Sequence, residues 1–246
     1  MRGEIAQIIK DLWSVQAGRE NDIVDDFSYP LPVTVICRLL GVPLEDEPLF
    51  RAWSDALDAA ADVRPDEDTT KSDEAGKQAR VEMGQYLMVA ERRRGHPGDD
   101  MLSAFVNEPD PAVRLTHEEL AETAVLLLIA GHETTANLIT NGGLMLRRPE
   151  HLDQLRGEPD LLPQAVEELL RYEPPVHMRE RIPRVDIKVA GTTIPDGTSL
   201  VLVLASGNRD PKRFPEPDRF DPTRPDKQHL GFGSAASTFT AHPSPA

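Results

Sequence analysis

The stretch Ala130-Gly131-His132-Glu133-Thr134-Thr135 decides the fold class of this chain, because it lies inside a long apolar segment of helical periodicity. A glycine in a helix interior costs about 1 kcal/mol relative to alanine, so Gly131 needs a physical reason. One reason is that a small residue lets the helix backbone approach a flat ligand, while a Thr hydroxyl bonded one turn back bends the helix open. The alternative is a core helix whose glycine permits close helix packing.

A metal site is not indicated by this stretch. His132-Glu133 begins the pattern of a zinc-protease helix, which needs a second histidine at position 136, and that residue is Ala136. The single cysteine, Cys37, excludes an internal disulfide and a multi-cysteine zinc site. Because Cys37 lies in an apolar helical segment, we expect it to be a small core residue.

The rest of the chain predicts a mainly α protein with a small β-unit. Thr116 and Glu119 form a capping box that starts a long helix, which runs to about Arg148. The charged segment 64–75 is typical of a solvated loop. Segments 185–190 and 200–204 alternate in polarity or are rich in β-branched residues, which predicts a strand in each.

Composition limits the classes of function. The chain of 246 residues has a formal net charge of −15, which argues against nucleic acid and against an anionic membrane surface as partners. No apolar run reaches the length of a transmembrane span, and no signal peptide opens the sequence. These features predict a soluble cytoplasmic protein with no membrane partner.

Glu168 and Arg171 lie three residues apart on a predicted helix and therefore face one another. Such a pair is most often a solvated salt bridge of a few tenths of a kcal/mol. The apolar surroundings favour burial instead, and Arg219 could complete an acid–arginine triad (Glu168, Arg171 and Arg219).

Five segments, in this order and spacing, resemble the cytochrome P-450 family of haem-thiolate monooxygenases, in its soluble bacterial type: residues 130–135, 167–175, 208–211, 214–222 and 229–233. The resemblance implies a cytochrome P-450-like helical fold that is incomplete at both ends. It also implies one partial domain over 1–246, helical over 1–175, β-containing and irregular over 176–234, with an aberrant tail over 235–246.

The resemblance implies haem b as cofactor and carries roles to the long helix. Thr134 resembles the threonine that manages bound dioxygen and its protonation, and Glu133 resembles the neighbouring acid of the proton relay. Ala130 and Gly131, together with Thr134, would line the haem face. The implied reaction inserts one oxygen atom of O₂ into a small apolar organic substrate, with electrons from a ferredoxin or a flavin reductase.

Further cofactor contacts are implied nearer the C-terminus. Arg181 resembles the arginine that pairs with a haem propionate, and the alternative is a surface arginine beside Glu180. Phe232 resembles the aromatic residue that opens the cysteine loop. The acid–arginine triad resembles the buried triad that fixes the core on the proximal side.

The sequence departs from the family where the iron ligand belongs. The family loop reads Phe-Gly-x-Gly-x-(His or Arg)-x-Cys-x-Gly, and after Phe232 and Gly233 the later positions are occupied by Ala235, Ser237, Phe239 and Ala241. Phe239 stands at the place of the axial cysteine, whose thiolate favours O–O cleavage. The sequence therefore contains no metal ligand of the family type, and we expect no turnover by this chain. The alternatives are a non-catalytic degenerate fragment and a helical interaction module without cofactor.

The tail suggests a cause for this departure. Codons for Ala236–Ala246 can be read one base out of phase as Ile-His-Phe-His-Cys-Thr-Pro-Leu-Ala-Arg, which resembles the continuation of the family loop. We therefore expect a frameshift near Ser234, in the gene or in its sequencing.

Overall fold

Helices dominate the computed structural model of the chain, which describes residues 1–16, 20–61, 70–88 and 98–233. Two compact units divide the chain at residue 136, Met1–Ala136 and Asn137–Ala246. The single partial domain stays a prediction. The helices are α1 (Arg2–Gln16), α2 (Pro30–Leu40), α3 (Glu47–Ala61), α4 (Thr70–Met88), α5 (Met101–Val106), α6 (His117–Leu146), α7 (Pro149–Gly157), α8 (Leu162–Tyr172) and the short α9 (Leu204–Gly207).

Helix α6 is the long helix that the capping box predicts. Its 30 residues span about 45 Å. The Thr116 hydroxyl accepts a hydrogen bond from Glu119 N at 3.2 Å, and the Glu119 carboxylate accepts one from Thr116 N at 2.8 Å. The predicted capping box is therefore confirmed.

Helix α2 begins and ends at residues suited to helix termini. Pro30 occupies the first turn, where a missing N–H costs nothing. Gly41 follows the helix with a φ of 69°, and its N–H bonds back to the carbonyls of Cys37 and Arg38. A left-handed residue at this point ends the helix, and glycine takes that conformation without strain.

The predicted loop over 64–75 is wrong in its second half. Helix α4 begins at Thr70, so the segment 70–75 is helical, while 64–69 lies outside the described residues. The side chains of residues 70–75 are mostly polar or charged and are exposed or partly exposed, as those of a loop would be. What makes the segment helical is packing, since Gly76 of α4 lies against Ala60 of α3 so closely that a side chain at position 76 would overlap it.

The core of the first unit forms where α2, α3, α4, α5 and α6 meet. Cys37 is 1% exposed, which confirms the prediction that it is a core residue. The other buried members are Val33, Ile36, Leu40, Val42, Phe50, Met83, Leu102, Ala124, Val125 and Leu128.

The second unit contains the β-structure, in two antiparallel pairs. Strand β1 (Met178–Arg181) pairs with β4 (Leu200–Val203), with Met178 opposite Val203. Strand β2 (Ile187–Val189) pairs with β3 (Thr192–Ile194). The turn between β2 and β3 has positive φ at both Ala190 and Gly191, as a tight hairpin of this kind requires.

The predicted mainly α class with a small β-unit is confirmed by these elements. Within the described residues, no helix is both long enough and apolar enough to cross a membrane.

Candidate functional site

The centre of α6 has a local geometry set by Thr134. The Thr134 hydroxyl donates a hydrogen bond to the carbonyl oxygen of Ala130 at 2.8 Å. A hydroxyl bonded one turn back competes for that carbonyl with the helix ladder, which is how such residues loosen and bend helices. Glu133 and Thr134 are both half-buried, so neither is an ordinary solvated helix residue.

Gly131 serves the close helix packing that the sequence left as an alternative. A Cβ at position 131 would lie 2.9 Å from Cδ1 and 3.2 Å from Cγ1 of Ile36 in α2. The side-chain direction of Gly131 therefore points at another helix, and not into an open groove. Its contact with a cofactor, and that of Ala130, stay predictions from the resemblance.

His132 is a site residue that sequence reasoning missed. Its side chain is 5% exposed, and its ring packs edge to face against Tyr29 with centroids 4.4 Å apart. Burial lowers the pKa of His132 from 6.5 to about 4. The only sequence signal was a polar residue in an apolar helical run, and the zinc motif drew attention away from it.

Glu168 and Arg171 of α8 form a buried ion pair in the second unit. Arg171 Nε and Nη2 each bond to the Glu168 carboxylate at 2.8 Å. Arg171 Nη1 donates to the carbonyl oxygens of Asn208 and Pro217, both at 2.9 Å, and Nη2 donates to that of Arg219 at 3.1 Å. All five guanidinium N–H groups are thereby used, so this arginine ties three chain segments together.

The structure does not place the side chain of Arg219 in the predicted triad, so that prediction is corrected. Its side chain is 64% exposed and pairs with Glu216 at 3.5 Å; only its backbone carbonyl reaches the network. Arg224 takes the inner position, with its Nε 3.4 Å from the Glu168 carboxylate. Arg224 is buried, and it also bonds to the carbonyl oxygens of Pro215, Glu216 and Arg219.

The physical reason lies in the path of the backbone. Glu216 has a positive φ of 47°, and the segment from Pro217 to Arg219 presents its carbonyl oxygens to Arg171. The side chain of Arg219 is therefore turned outward. The motif located the correct segment, but a motif does not specify which of two arginines points inward.

Arg181 and Phe232 lie in exposed positions. Arg181 is on strand β1 and donates from Nη1 to the carbonyl oxygen of Glu180 at 2.8 Å. Phe232 is 39% exposed, with its ring 6.0 Å from that of His229. Their roles at a propionate and at a cysteine loop stay predictions. The replaced loop positions, with Phe239 at the place of the axial cysteine, lie outside the described residues.

His229 is a second residue to which the sequence analysis assigned no role. Its Nε2 is 3.1 Å from the Glu167 carboxylate, and its Nδ1 is 3.0 Å from the N–H of Gly231. Because Nδ1 accepts a hydrogen bond from that N–H, Nε2 carries the ring proton and donates a hydrogen bond to the Glu167 carboxylate. His229 thus joins α8 to the turn that contains Phe232.

No group of three or more His, Cys, Asp or Glu side chains in the described ranges could hold a metal ion.

Comparison with known proteins identifies relatives for nearly the whole chain. The family model of Cytochrome P450 matches residues 49–239. Cytochrome P450 monooxygenase PikC of Streptomyces venezuelae is 44% identical over 216 residues, which cover 86% of this chain and 50% of that protein.

Solved structures of cytochromes P450 also match nearly the whole chain. P450BioI, in complex with hexadec-9Z-enoic acid ligated acyl carrier protein, matches with a TM-score of 0.87 and 39% identity, over 95% of this chain and 60% of that one. CYP109E1 from Bacillus megaterium, in complex with testosterone, matches with a TM-score of 0.89 and 36% identity, over 95% and 62%. The chain spans about half the length of the curated relatives it matches.

Proposed function

This chain belongs to the cytochrome P450 family, and on that premise we propose that it carries part of a haem-dependent monooxygenase but does not itself perform the oxygenation. The observation that supports the first half is the centre of α6, where the Thr134 hydroxyl bonds to Ala130 O at 2.8 Å beside half-buried Glu133. The absence of oxygenation by this chain is supported by the burial and protonation of Cys37, the single cysteine of the sequence.

Cys37 is unsuited to be the thiolate ligand of a haem. It is 1% exposed in the core of the first unit, and burial raises the pKa of its thiol to about 11. A protonated, inaccessible sulfur neither coordinates iron nor donates electron density to it. We therefore propose that Thr134 and Glu133 belong to the oxygen-binding side of a haem b, and that Cys37 is not its axial donor.

When bound in this family, haem supplies the oxygen chemistry, and the protein supplies binding, orientation and proton paths. In our proposal, Thr134 and Glu133 hold and move protons, and Ala130 lines the ligand face of α6 together with the backbone of Gly131, whose Cα hydrogen side packs on Ile36. The proposed substrate is a small apolar organic molecule, and the proposed electron donor is a ferredoxin or a flavin reductase. The designation of the Streptomyces relative as a monooxygenase supports this reaction class.

Haem titration tests the proposal. Purified chain is mixed with haem, reduced and exposed to carbon monoxide, and the Soret band is recorded. We expect no far red-shifted band, because no thiolate of this chain reaches the iron; whether the haem is bound at all is decided by the comparison with the Thr134 and Glu133 variants. A far red-shifted band would show a thiolate on the iron and would contradict the proposed loss of activity.

A non-catalytic helical fragment without cofactor is the second candidate, and the missing thiolate favours it. The same titration separates the two. A saturable change in the Soret band that Thr134→Ala and Glu133→Gln alter supports the haem site on α6, because only a haem against that helix senses both side chains. A spectrum unchanged by protein leaves the helical module as the function.

A further inference from the structure

A small cavity in the first unit lies on the side of α6 that carries His132. Its volume is about 10 Å³, which is room for one water molecule. Apolar side chains of α2, α3 and α6 form most of its wall. Its polar lining comes from Tyr29, Glu47, Arg51 and His132.

His132 brings an unsatisfied polar atom to this cavity. Its side chain is 95% buried, since 5% is exposed, and within the described ranges its Nε2 has no hydrogen-bond partner. Burial keeps the imidazole neutral, so one ring nitrogen is a donor and the other an acceptor. Buried polar groups of this kind are nearly always bonded, to protein or to ordered water.

Tyr29 brings a second such atom. Its hydroxyl is buried, and in the described part of the chain no acceptor meets the geometry of a hydrogen bond with it, the nearby Glu47 carboxylate included. Burial is the main cause that raises the pKa of Tyr29, and the charge of Glu47 adds to it. The hydroxyl is therefore protonated. The Tyr29 and His132 rings stand perpendicular with centroids 4.4 Å apart, so they touch through ring faces and edges.

Charged neighbours do not satisfy these two groups. The Arg51 guanidinium lies 4.2 Å above the Tyr29 ring and pairs with Asp25 at 3.4 Å. The charges of Asp55 and Arg51 shift the pKa of His132 in opposite directions, Asp55 upward and Arg51 downward. His132 Nε2 therefore has no protein partner in the described residues, and the cavity that His132 lines is the space beside it.

We infer that this cavity is a binding site for a single structural water molecule, which hydrogen-bonds His132 Nε2 and the Tyr29 hydroxyl. Two to four polar partners are what a buried water needs, and the cavity offers them at the volume of one molecule. This inference is independent of haem and of the proposed oxygenation.

The water would fix the position of α6 against α2. Tyr29 immediately precedes α2, and His132 follows Gly131, whose backbone packs on Ile36 of the same helix. Close packing at Gly131 sets the distance between the helices. The water bridge would add a polar link between Tyr29, at the start of α2, and His132 of α6.

A crystal structure of the full chain, at a resolution that shows ordered waters, tests the site directly. We expect one density peak within hydrogen-bond distance of both His132 Nε2 and the Tyr29 hydroxyl, and its loss in Tyr29→Phe or His132→Phe. An empty cavity, or a protein group bonded to Nε2, would overturn the inference.

A double-mutant cycle gives a second test in solution. Both substitutions to Phe keep a ring in place and remove the polar atom. If one water serves both groups, each single variant lowers the folding equilibrium constant about tenfold, and the double variant lowers it no further. A hundredfold loss in the double variant would contradict a shared water.

Tyr86→Phe is the matched control for the cycle. The Tyr86 hydroxyl donates to the Asp46 carboxylate, and this residue is not part of the cavity wall. Its effect should multiply with that of His132→Phe. Coupling of this control pair as strong as that between Tyr29 and His132 would show a general loosening of the core, and would overturn the assignment to a water.

Discussion

The carboxylate of Glu168 accepts two hydrogen bonds from Arg171, one from Nε and one from Nη2, each 2.8 Å long. Both side chains are almost fully buried, at 4% and 1% exposure. Paired charges in such a place are stable only when the remaining donors and acceptors are also satisfied. Asp221 N and Arg224 Nε complete the Glu168 carboxylate, at 2.9 and 3.4 Å.

Arg224 and Arg219 should differ sharply in their contribution to stability. We expect Arg224→Ala to reduce the free energy of unfolding by about 3 kcal/mol, because it leaves a buried carboxylate and three carbonyl oxygens short of partners. Arg219→Ala is the matched control, and its exposed pair with Glu216 should contribute less than about 0.5 kcal/mol. Urea unfolding followed by circular dichroism measures both. Equal losses for the two variants would restore Arg219 to the triad.

The sequence predicted the parts of this structure that depend on local patterns. The capping box at Thr116, the long helix and the facing pair of Glu168 and Arg171 all follow from spacing along one helix, and all are present. Choosing Arg224 over Arg219 depends on the direction in which an irregular segment turns. That direction depends on hydrogen bonds between backbone carbonyls of the segment and the buried arginines, and residue spacing does not predict such bonds.

Two other misses have similar causes. Strand β1 reads Met-Arg-Glu-Arg and is exposed along its whole length, so no apolar alternation marks it as a strand. It is a strand because its residues pair with Leu200–Val203. His132 was missed because a buried histidine is recognised by what surrounds it, and Tyr29 is about a hundred residues away in the sequence.

Gly131 should resist even a single added methyl group. In Gly131→Ala the gain of about 1 kcal/mol in helix propensity opposes a contact of 2.9 Å with Ile36 Cδ1. We expect the contact to dominate, with a net loss of about 1 kcal/mol in the free energy of unfolding. Ile36→Val removes that carbon, so the double variant should be more stable than the sum of the two single changes predicts. Strict additivity would show that Gly131 does not depend on Ile36.

His132 should make stability depend on pH between its unfolded and folded pKa values. Its pKa is about 4 in the folded chain and 6.5 unfolded, so the stabilisation is complete above pH 6.5. The free energy of unfolding falls as the pH is lowered from 6.5 towards 4, because the unfolded state takes up the proton first. The loss in this free energy reaches about 2 kcal/mol at pH 5. Urea unfolding at pH 7 and pH 5 measures it.

His132→Phe is the control for that measurement, since it removes the titrating group and leaves the carboxylates unchanged. The decline between pH 7 and pH 5 should be smaller in the variant by about the same 2 kcal/mol. Parallel curves for the two proteins would mean that His132 titrates normally.

The tail makes a prediction about the DNA, because the proposed frameshift depends on particular bases. Read one base out of phase, the cysteine codon combines the third base of the Thr240 codon with the first two bases, GC, of the Ala241 codon. The third base of Thr240 must then be T, because C, A or G at that place would encode Arg, Ser or Gly in the shifted frame. Likewise the Ala236 codon must end in A for isoleucine to precede the histidine. Sequencing the gene through codon 246 checks both bases. A base other than T at the Thr240 position removes the cysteine from the shifted frame, and the departure at Phe239 is then a property of the protein itself; a base other than A at the Ala236 position replaces only the isoleucine.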